Sequence, residues 1–375
     1  MTAHLWPASD GRMWSARLEA DGWSAHVFYE RVDDPLGPLV RVDALLIGTL
    51  LAFMSRDVKT LRVHGAVSRT LLRNLDELQH VWLKWRPELY SSITIEVDAA
   101  ADDEPGGEGA ISAFSGGVDA AFTVYRHAVA GAGWHSLPLR EVVMIHGFDI
   151  GLDEPDVFDR AVDRSERMLA GTGLRFSRVR TNLRDLPTRW GDNFALGAAS
   201  VLTLFADRRD TGLIGSSEDY GAFFRPCGST PVQDWMASSK AMAIRHDGAG
   251  FSRTEKVTEL AKWPSAIDNM RVCYRGAAHD RNCGRCEKCI RTALNLRLAG
   301  VESPTCFDAQ FAAADLRRVY FANGPMATEW KSLITEAERR GIAEPWVRDV
   351  RRVIWREQIK ATPPGRLLKR LRSSG

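Results

Sequence analysis

Residues 111–125 constrain this chain more than any other stretch. Ile111-Ser112-Ala113-Phe114 is a short apolar run, Ser115-Gly116-Gly117 a tight turn, and Val118-Asp119-Ala120 opens an apolar helix. Adjacent glycines let a backbone turn sharply and approach a ligand with no Cβ in the way. The helix start aims unpaired N–H groups and a positive dipole end at that turn. Such a corner binds phosphate. Ser115 adds a hydroxyl donor, and Asp119 stands where a carboxylate can hold Mg2+ against a polyphosphate.

From residue 111 onward, strand-like and helix-like segments alternate. Strands are expected at 142–145, 174–179 and 212–215, with helices at 158–169 and 194–206 between them. This is α/β order, a parallel sheet with helices on both faces. Ligands of such sheets bind beyond the carboxyl ends of the strands. The backbone of Met144, Ile145 and His146 is therefore expected to cup an adenine, and Gly215 and Ser216 to border the same ligand. Glu218 and Asp219 are placed for a magnesium or amine contact, or for plain solvation. His146 itself is more often a structural hydrogen-bonding residue than a catalyst.

The first hundred residues read as a small α+β unit without recognisable chemistry. Residues 12–32 form a hairpin about Asp21-Gly22. Asp43 caps a helix over 44–54 that is apolar nearly all round, 61–67 is a strand, Ser68 caps a helix carrying Leu71, Leu72, Leu75, Leu78, Trp82 and Trp85 at helical spacing, and 93–97 is a short strand. Residues 99–109, rich in Gly, Ala, Pro and acid, suit an exposed linker. The domain scheme is thus 1–98, a linker 99–109, a nucleotide-binding unit 110–300, and a helical extension 301–375 with helices at 307–319, 330–339 and 346–359. Residues 221–247 read as a long loop turning helical through Lys240. The basic, leucine-interleaved stretch 366–372 is a solvated tail or a contact for a membrane or acidic partner.

Cys273, Cys283, Cys286 and Cys289 stand as C-x9-C-x2-C-x2-C. The spacing fits a closed tetrathiolate site for Zn2+, with an iron–sulfur cluster as the rival. Lys288, Arg285 and Arg291 are expected to offset its negative charge. Six cysteines in all, four of them clustered, indicate a metal site in a reducing compartment rather than a disulfide framework. The N-terminus shows no signal-peptide pattern, and residues 44–54 are too short to span a bilayer. A cytoplasmic location is expected. The formal charge of +2 over 375 residues argues against a broad nucleic-acid footprint.

Ser115-Gly116-Gly117-Val118-Asp119-Ala120 resembles the PP-loop of N-type ATP pyrophosphatases, S-G-G-x-D-S, with Ala120 in place of the last serine. Arg253-Thr254-Glu255-Lys256-Val257 is similar to a Lys-Thr-Glu segment that accompanies that loop. Together with the cysteine spacing, these motifs resemble the 7-cyano-7-deazaguanine synthase family of queuosine biosynthesis, over about 111–298. The resemblance implies the adenine nucleotide alpha-hydrolase-like (HUP) fold with a zinc-binding C-terminal segment. It implies ATP, Mg2+ and Zn2+, with Ser115, Asp119, Arg253 and Lys256 catalytic and Phe114 through Ala120 around the nucleotide. The implied reaction adenylates a carboxylate or carbonyl oxygen, releases pyrophosphate, and transfers ammonia or an amine to give an amide or nitrile. A homodimer is expected. The alternatives are a PP-loop sulfurtransferase with Cys227 as carrier, and a degenerate nucleotide-binding module.

Overall fold

The computed structural model describes residues 1–101, 104–222, 226–273, 276, 279–321 and 324–361. The basic stretch 366–372 lies outside the described residues. In chain order the elements are β1 (Thr2–Ser9), β2 (Met13–Ala20), β3 (Trp23–Arg31), α1 (Asp43–Met54), β4 (Thr60–Ser68), α2 (Arg69–Trp85) and β5 (Thr94–Ala101). There follow β6 (Ala110–Ala113), α3 (Val118–Val124), β7 (Leu139–His146), α4 (Pro155–Leu169), β8 (Arg175–Thr181), α5 (Trp190–Thr203), β9 (Thr211–Gly215) and β10 (Ala243–Asp247). The chain closes with α6 (Arg253–Leu260), α7 (Pro264–Asn269), α8 (Glu287–Leu298), α9 (Gly324–Arg339) and α10 (Pro345–Ala361).

Among the described residues, ten strands share one sheet, ordered β10-β9-β6-β7-β8-β3-β2-β1-β4-β5. The five strands from β10 to β8 run parallel. β6, β7 and β9 are mostly apolar and buried, as strands covered by helices on both faces require, whereas β8 carries Arg175, Arg178 and Arg180 and β10 carries Arg245. Val142 packs toward one face, with Phe122, Met168 and Val257. Its neighbour Val143 packs toward the other, with Leu196, Leu202 and Phe53. The links β6-α3-β7-α4-β8 use the first face, and the link through α5 to β9 uses the second. The winding therefore reverses between β6 and β9, and the loops leaving their carboxyl ends diverge. That divergence opens a crevice where ligands of such sheets bind.

The first hundred residues join the same sheet. β3 pairs antiparallel with β8, Tyr29 facing Thr181, Glu30 facing Arg180 and Arg31 facing Val179. α1 is buried along its whole length and packs on α5. The hydroxyl of Tyr29 donates to Ser200 Oγ at 3.0 Å, tying the two parts through a buried contact. Each fully buried Leu, Ile or Phe of this layer contributes roughly 1.5–3 kcal/mol.

Several local expectations are corrected. Asp43 does not cap α1. It lies in the first turn, and its carboxylate accepts Ser68 N at 2.9 Å and the Ser68 hydroxyl. Ser68 occupies the N-cap position of α2 with its hydroxyl spent on Asp43, so neither residue caps by side chain. A further strand, β1, precedes the expected hairpin. Among the described residues, the segment expected to turn helical through Lys240 holds a 3-10 turn, Asp234–Ala237, and then β10. The helix expected over 307–319 is a single 3-10 stretch, Ala313–Arg318. Phe307 is instead drawn into a bridge with Asn282, and Asp308 N donates to Asn282 O at 2.8 Å. Within the expected linker, Gly106 and Gly107 pack so tightly on the backbone of Ala241 and Arg208 that a Cβ would meet it at 2.0 and 2.1 Å. Among the described residues no helix is long and apolar enough to cross a membrane.

Candidate functional site

The turn after β6 lies at the switch point. Gly116 adopts φ +74, a left-handed conformation that suits glycine, and Gly117 precedes α3 in extended backbone. α3 runs on through a π-turn, Tyr125–Val129. Gly215, ending β9, lies so close to α3 that a Cβ would meet Asp119 O at 2.8 Å. The absent side chain at Gly215 is what lets β9 and the loop converge.

A cavity of about 300 Å³ opens there. Phe114, Ser115, Asp119 and Ala120 form one wall, Met144, Ile145 and Gly215 the strand-end floor, and Phe148, Trp190 and Phe194 an aromatic side. Asp149, Ser217 and Arg271 add polar groups. Such a mixture, mostly apolar with a few converging polar groups, is that of a small-molecule site.

Asp119 is the centre of charge. Its Oδ2 accepts Arg253 Nη1 at 3.2 Å and its Oδ1 accepts Lys256 Nζ at 3.4 Å. Burial works to raise the Asp119 carboxyl. The Arg253 and Lys256 charges outweigh burial and hold it below the usual carboxylate range. Lys256 is buried, donates to Ser216 O as well, and has its ammonium pKa pushed down by that burial. Both cations enter on the first turns of α6. Ser252 caps that helix in a reciprocal box with Glu255, which fixes the direction of the turn. A cation at a helix N-terminus is unfavourable to the dipole. Here Asp119 supplies the compensation.

Of the residues the sequence singled out, Phe114, Ser115, Asp119, Ala120, Met144, Ile145 and Gly215 come together on the cavity. Arg253 and Lys256 reach it through Asp119. Val118 is buried in the core behind the loop, and Ser216 turns its hydroxyl to Glu218 O. His146 turns away: its Nε2 lies 2.7 Å from Gly151 O and its ring stacks on Phe158. Burial lowers the His146 pKa. Glu218 and Asp219 border a smaller polar cavity beside Arg253, and Asp219 Oδ1 accepts Gly221 N at 2.8 Å. Cys227 is half-buried and does not line the 300 Å³ cavity.

Two cations belong to this site that its motifs do not include. Arg271 lines the cavity and holds the loop, its backbone N donating to Gly116 O at 2.7 Å and its Nε to Ser115 O at 3.2 Å. Lys288, expected to balance the thiolates, instead sits in the field of Arg253 and Asp119. Burial, then the Arg253 charge, push its pKa down to about 8. Arg291 likewise serves carboxylates, Glu287 at 2.7 Å and Glu329 on α9.

The four cysteines meet as the spacing predicts. Their sulfurs lie within 4.8 Å of one another, with Cys273–Cys283 at 3.6 Å, Cys273–Cys286 at 3.8 Å and Cys283–Cys289 at 3.9 Å. A tetrahedron with metal–sulfur bonds of about 2.3 Å has edges of about 3.8 Å. The donor set therefore fits one metal ion, whereas a cluster with interposed sulfides would hold the thiols farther apart. The hydrogen bond with Cys273 pushes the Cys286 thiol up to about 12.

No family model and no solved structure matches the chain. Among curated proteins, it is 40% identical over 57 residues to a 7-cyano-7-deazaguanine synthase of Allorhizobium ampelinum. It is 34% identical over 68 residues to proteins of the same name from Brucella ovis and Brucella canis. These matches take in 15% and 18% of this chain, and 23% and 28% of the relatives. The chain thus spans about a quarter of the length of the curated relatives it matches, and its kinship with them is partial.

Proposed function

We propose that this chain is an ATP-dependent synthase of the PP-loop kind. It binds the nucleotide at the 300 Å³ cavity, adenylates a carboxylate oxygen with release of pyrophosphate, and directs a nitrogen nucleophile to the activated carbon, so that AMP leaves and an amide forms; a second adenylation, on the amide oxygen, followed by loss of AMP and a proton gives a nitrile. The observation that carries this reading is the meeting of Ser115-Gly116-Gly117, Asp119, Arg253 and Lys256 at the sheet's switch point. The partial likeness to 7-cyano-7-deazaguanine synthases supports the same chemistry.

The chain's own groups divide the work. Loop N–H groups and the Ser115 hydroxyl receive phosphate oxygens. Arg253 and Lys256 meet the negative charge that grows on pyrophosphate as the α–β bond breaks, and fixed cations aimed at developing charge are an enzyme's strongest electrostatic device. The aromatic side at Phe148, Trp190 and Phe194 accepts flat apolar surface and excludes water. Asp119, with about a quarter of its side chain open to solvent, offers the one carboxylate that a magnesium site built mainly on phosphates requires, and the ion supplies further charge neutralisation. The four thiols hold Zn2+ in a closed, structural centre.

The test is ATP–pyrophosphate exchange across a library of carboxylic acids, heteroaromatic ones included. Exchange with at least one acid, and AMP as product, is expected. ADP and phosphate as the acid-dependent products would refute the reading.

A further inference from the structure

We propose that Arg271 is the positioning residue that turns the Ser115–Gly117 loop toward its ligand, and that the cysteine centre in turn holds Arg271. The inference rests on the pyrophosphate reading of the loop. A loop that binds an anion through N–H groups must keep its carbonyls turned away, because a carbonyl oxygen facing phosphate repels it. Arg271 takes both carbonyls at the turn, Ser115 O by Nε at 3.2 Å and Gly116 O by its backbone N at 2.7 Å. Its other nitrogens are also engaged, Nη1 with His279 O at 3.0 Å and Nη2 with Asp149 Oδ2 at 3.4 Å. The side chain is buried and fixed on every side.

The segment bearing Arg271 is strapped at its far end. Asn282 is fully buried, and its Oδ1 accepts Val272 N at 2.7 Å and Cys273 N at 3.0 Å. Its Nδ2 donates to Met270 O at 2.8 Å and Cys306 O at 2.9 Å. Cys273 is the first thiol of the centre and Cys283, next to Asn282, is the second. One residue, Val272, therefore separates the arginine that holds the loop from a candidate metal ligand. That the loop awaits an anion has independent support in Arg253. It is nine-tenths buried, Nη1 rests on Asp119, Nε lies 4.0 Å from Glu329 Oε2, and Nη2 has no hydrogen-bond partner among the described residues.

The geometry makes the tetrathiolate centre a control on nucleotide affinity. Binding of inorganic pyrophosphate with Mg2+ to the full chain, by calorimetry with metal content measured alongside, tests it. Arg271→Lys keeps the charge and loses the Nε–H grip on Ser115 O. The expected result is at least ten-fold weaker binding with metal content unchanged. Binding within two-fold of the unaltered chain overturns the proposal, since charge alone would then suffice. A second measurement needs no substitution. When a chelator withdraws the metal, amide hydrogen exchange should rise over 114–119 as well as over 270–289, while β7, β8 and β9 stay protected. Exchange confined to 270–289 overturns the strap. So does loss of protection throughout, which would make the centre a support of the whole fold. Failure of the unaltered chain to bind pyrophosphate would strike the reading of the loop, and the exchange experiment would still decide the strap.

Discussion

Two clusters of charge lie at opposite ends of the same parallel strands. At the amino ends, Glu141 on β7 is completely buried and accepts Ser177 Oγ at 2.6 Å and Arg208 Nη2 at 2.7 Å. Arg209 Nη2 lies 3.1 Å away and Arg175 Nε 3.6 Å, while Arg208 also reaches Asp34. At the carboxyl ends, Arg253 and Lys256 share Asp119 in much the same way. The ingredients match, and the difference is access. The Glu141 carboxylate is sealed among arginines, whereas Asp119 is 23% open and faces a cavity. A sealed cluster joins strands to one another. An open one can exchange its internal partners for an external anion. Buried charge alone is therefore no sign of a site; buried charge with a way in is.

The contrast can be broken in three ways. Glu141→Ala leaves several arginines without their shared acid, and unpairing a buried ion pair costs about 3–5 kcal/mol. Denaturant unfolding should show that loss, with the proposed turnover per folded molecule within two-fold of the unaltered chain. Turnover collapsing while stability held would make the two ends alike. At the open end, Asp119→Asn keeps the shape and removes the charge. Turnover should fall by about 10²–10³, the usual loss when one charge-stabilising group is removed, with the unfolding midpoint shifted far less than by Glu141→Ala. The alanine form is a poorer probe, because it strands Arg253 and Lys256 together in the interior. The smallest effect is expected at Ala120, whose methyl lies on the cavity wall. Ala120→Ser adds one hydroxyl toward the phosphates, about 0.5–1.5 kcal/mol for a neutral bond. ATP binding or rate should rise by up to about ten-fold, and no change would mean that this wall does not touch phosphate.

What could be read from the sequence was what neighbours along the chain decide. The Ser-Gly-Gly turn, the alternation from 111 to 215 and the cysteine spacing each have a local cause, and each appears in the structure. Partners across the fold were not legible. Nothing about Arg271 in the chain announces that its donors meet Ser115 O and Gly116 O, more than 150 residues away. Lys288 was misassigned by proximity in sequence. It precedes Cys289 by one residue of α8, one residue of helix rotates a side chain by about 100°, and Lys288 lies in the field of Arg253 and Asp119. β10 was hidden because five residues, Ala-Ile-Arg-His-Asp, carry too short a pattern to separate strand from loop. The apolar residues near 307 have helical spacing, but the bridge to Asn282 draws the backbone out before a helix can start.

The seam between β3 and β8 joins residues as far apart as Tyr29 and Thr181, a separation of 152 positions (181 − 29). While the chain is being synthesised, β1, β2 and β3 emerge early and can pair with one another. The outer edge of β3 has no partner until β8 has left the ribosome. At about 5–20 residues per second, that edge stays bare for on the order of ten seconds or more. A bare strand edge is a template for another chain. Glu30 and Arg31 occupy two of the three seam positions, so the edge that waits longest carries charge through its most vulnerable interval.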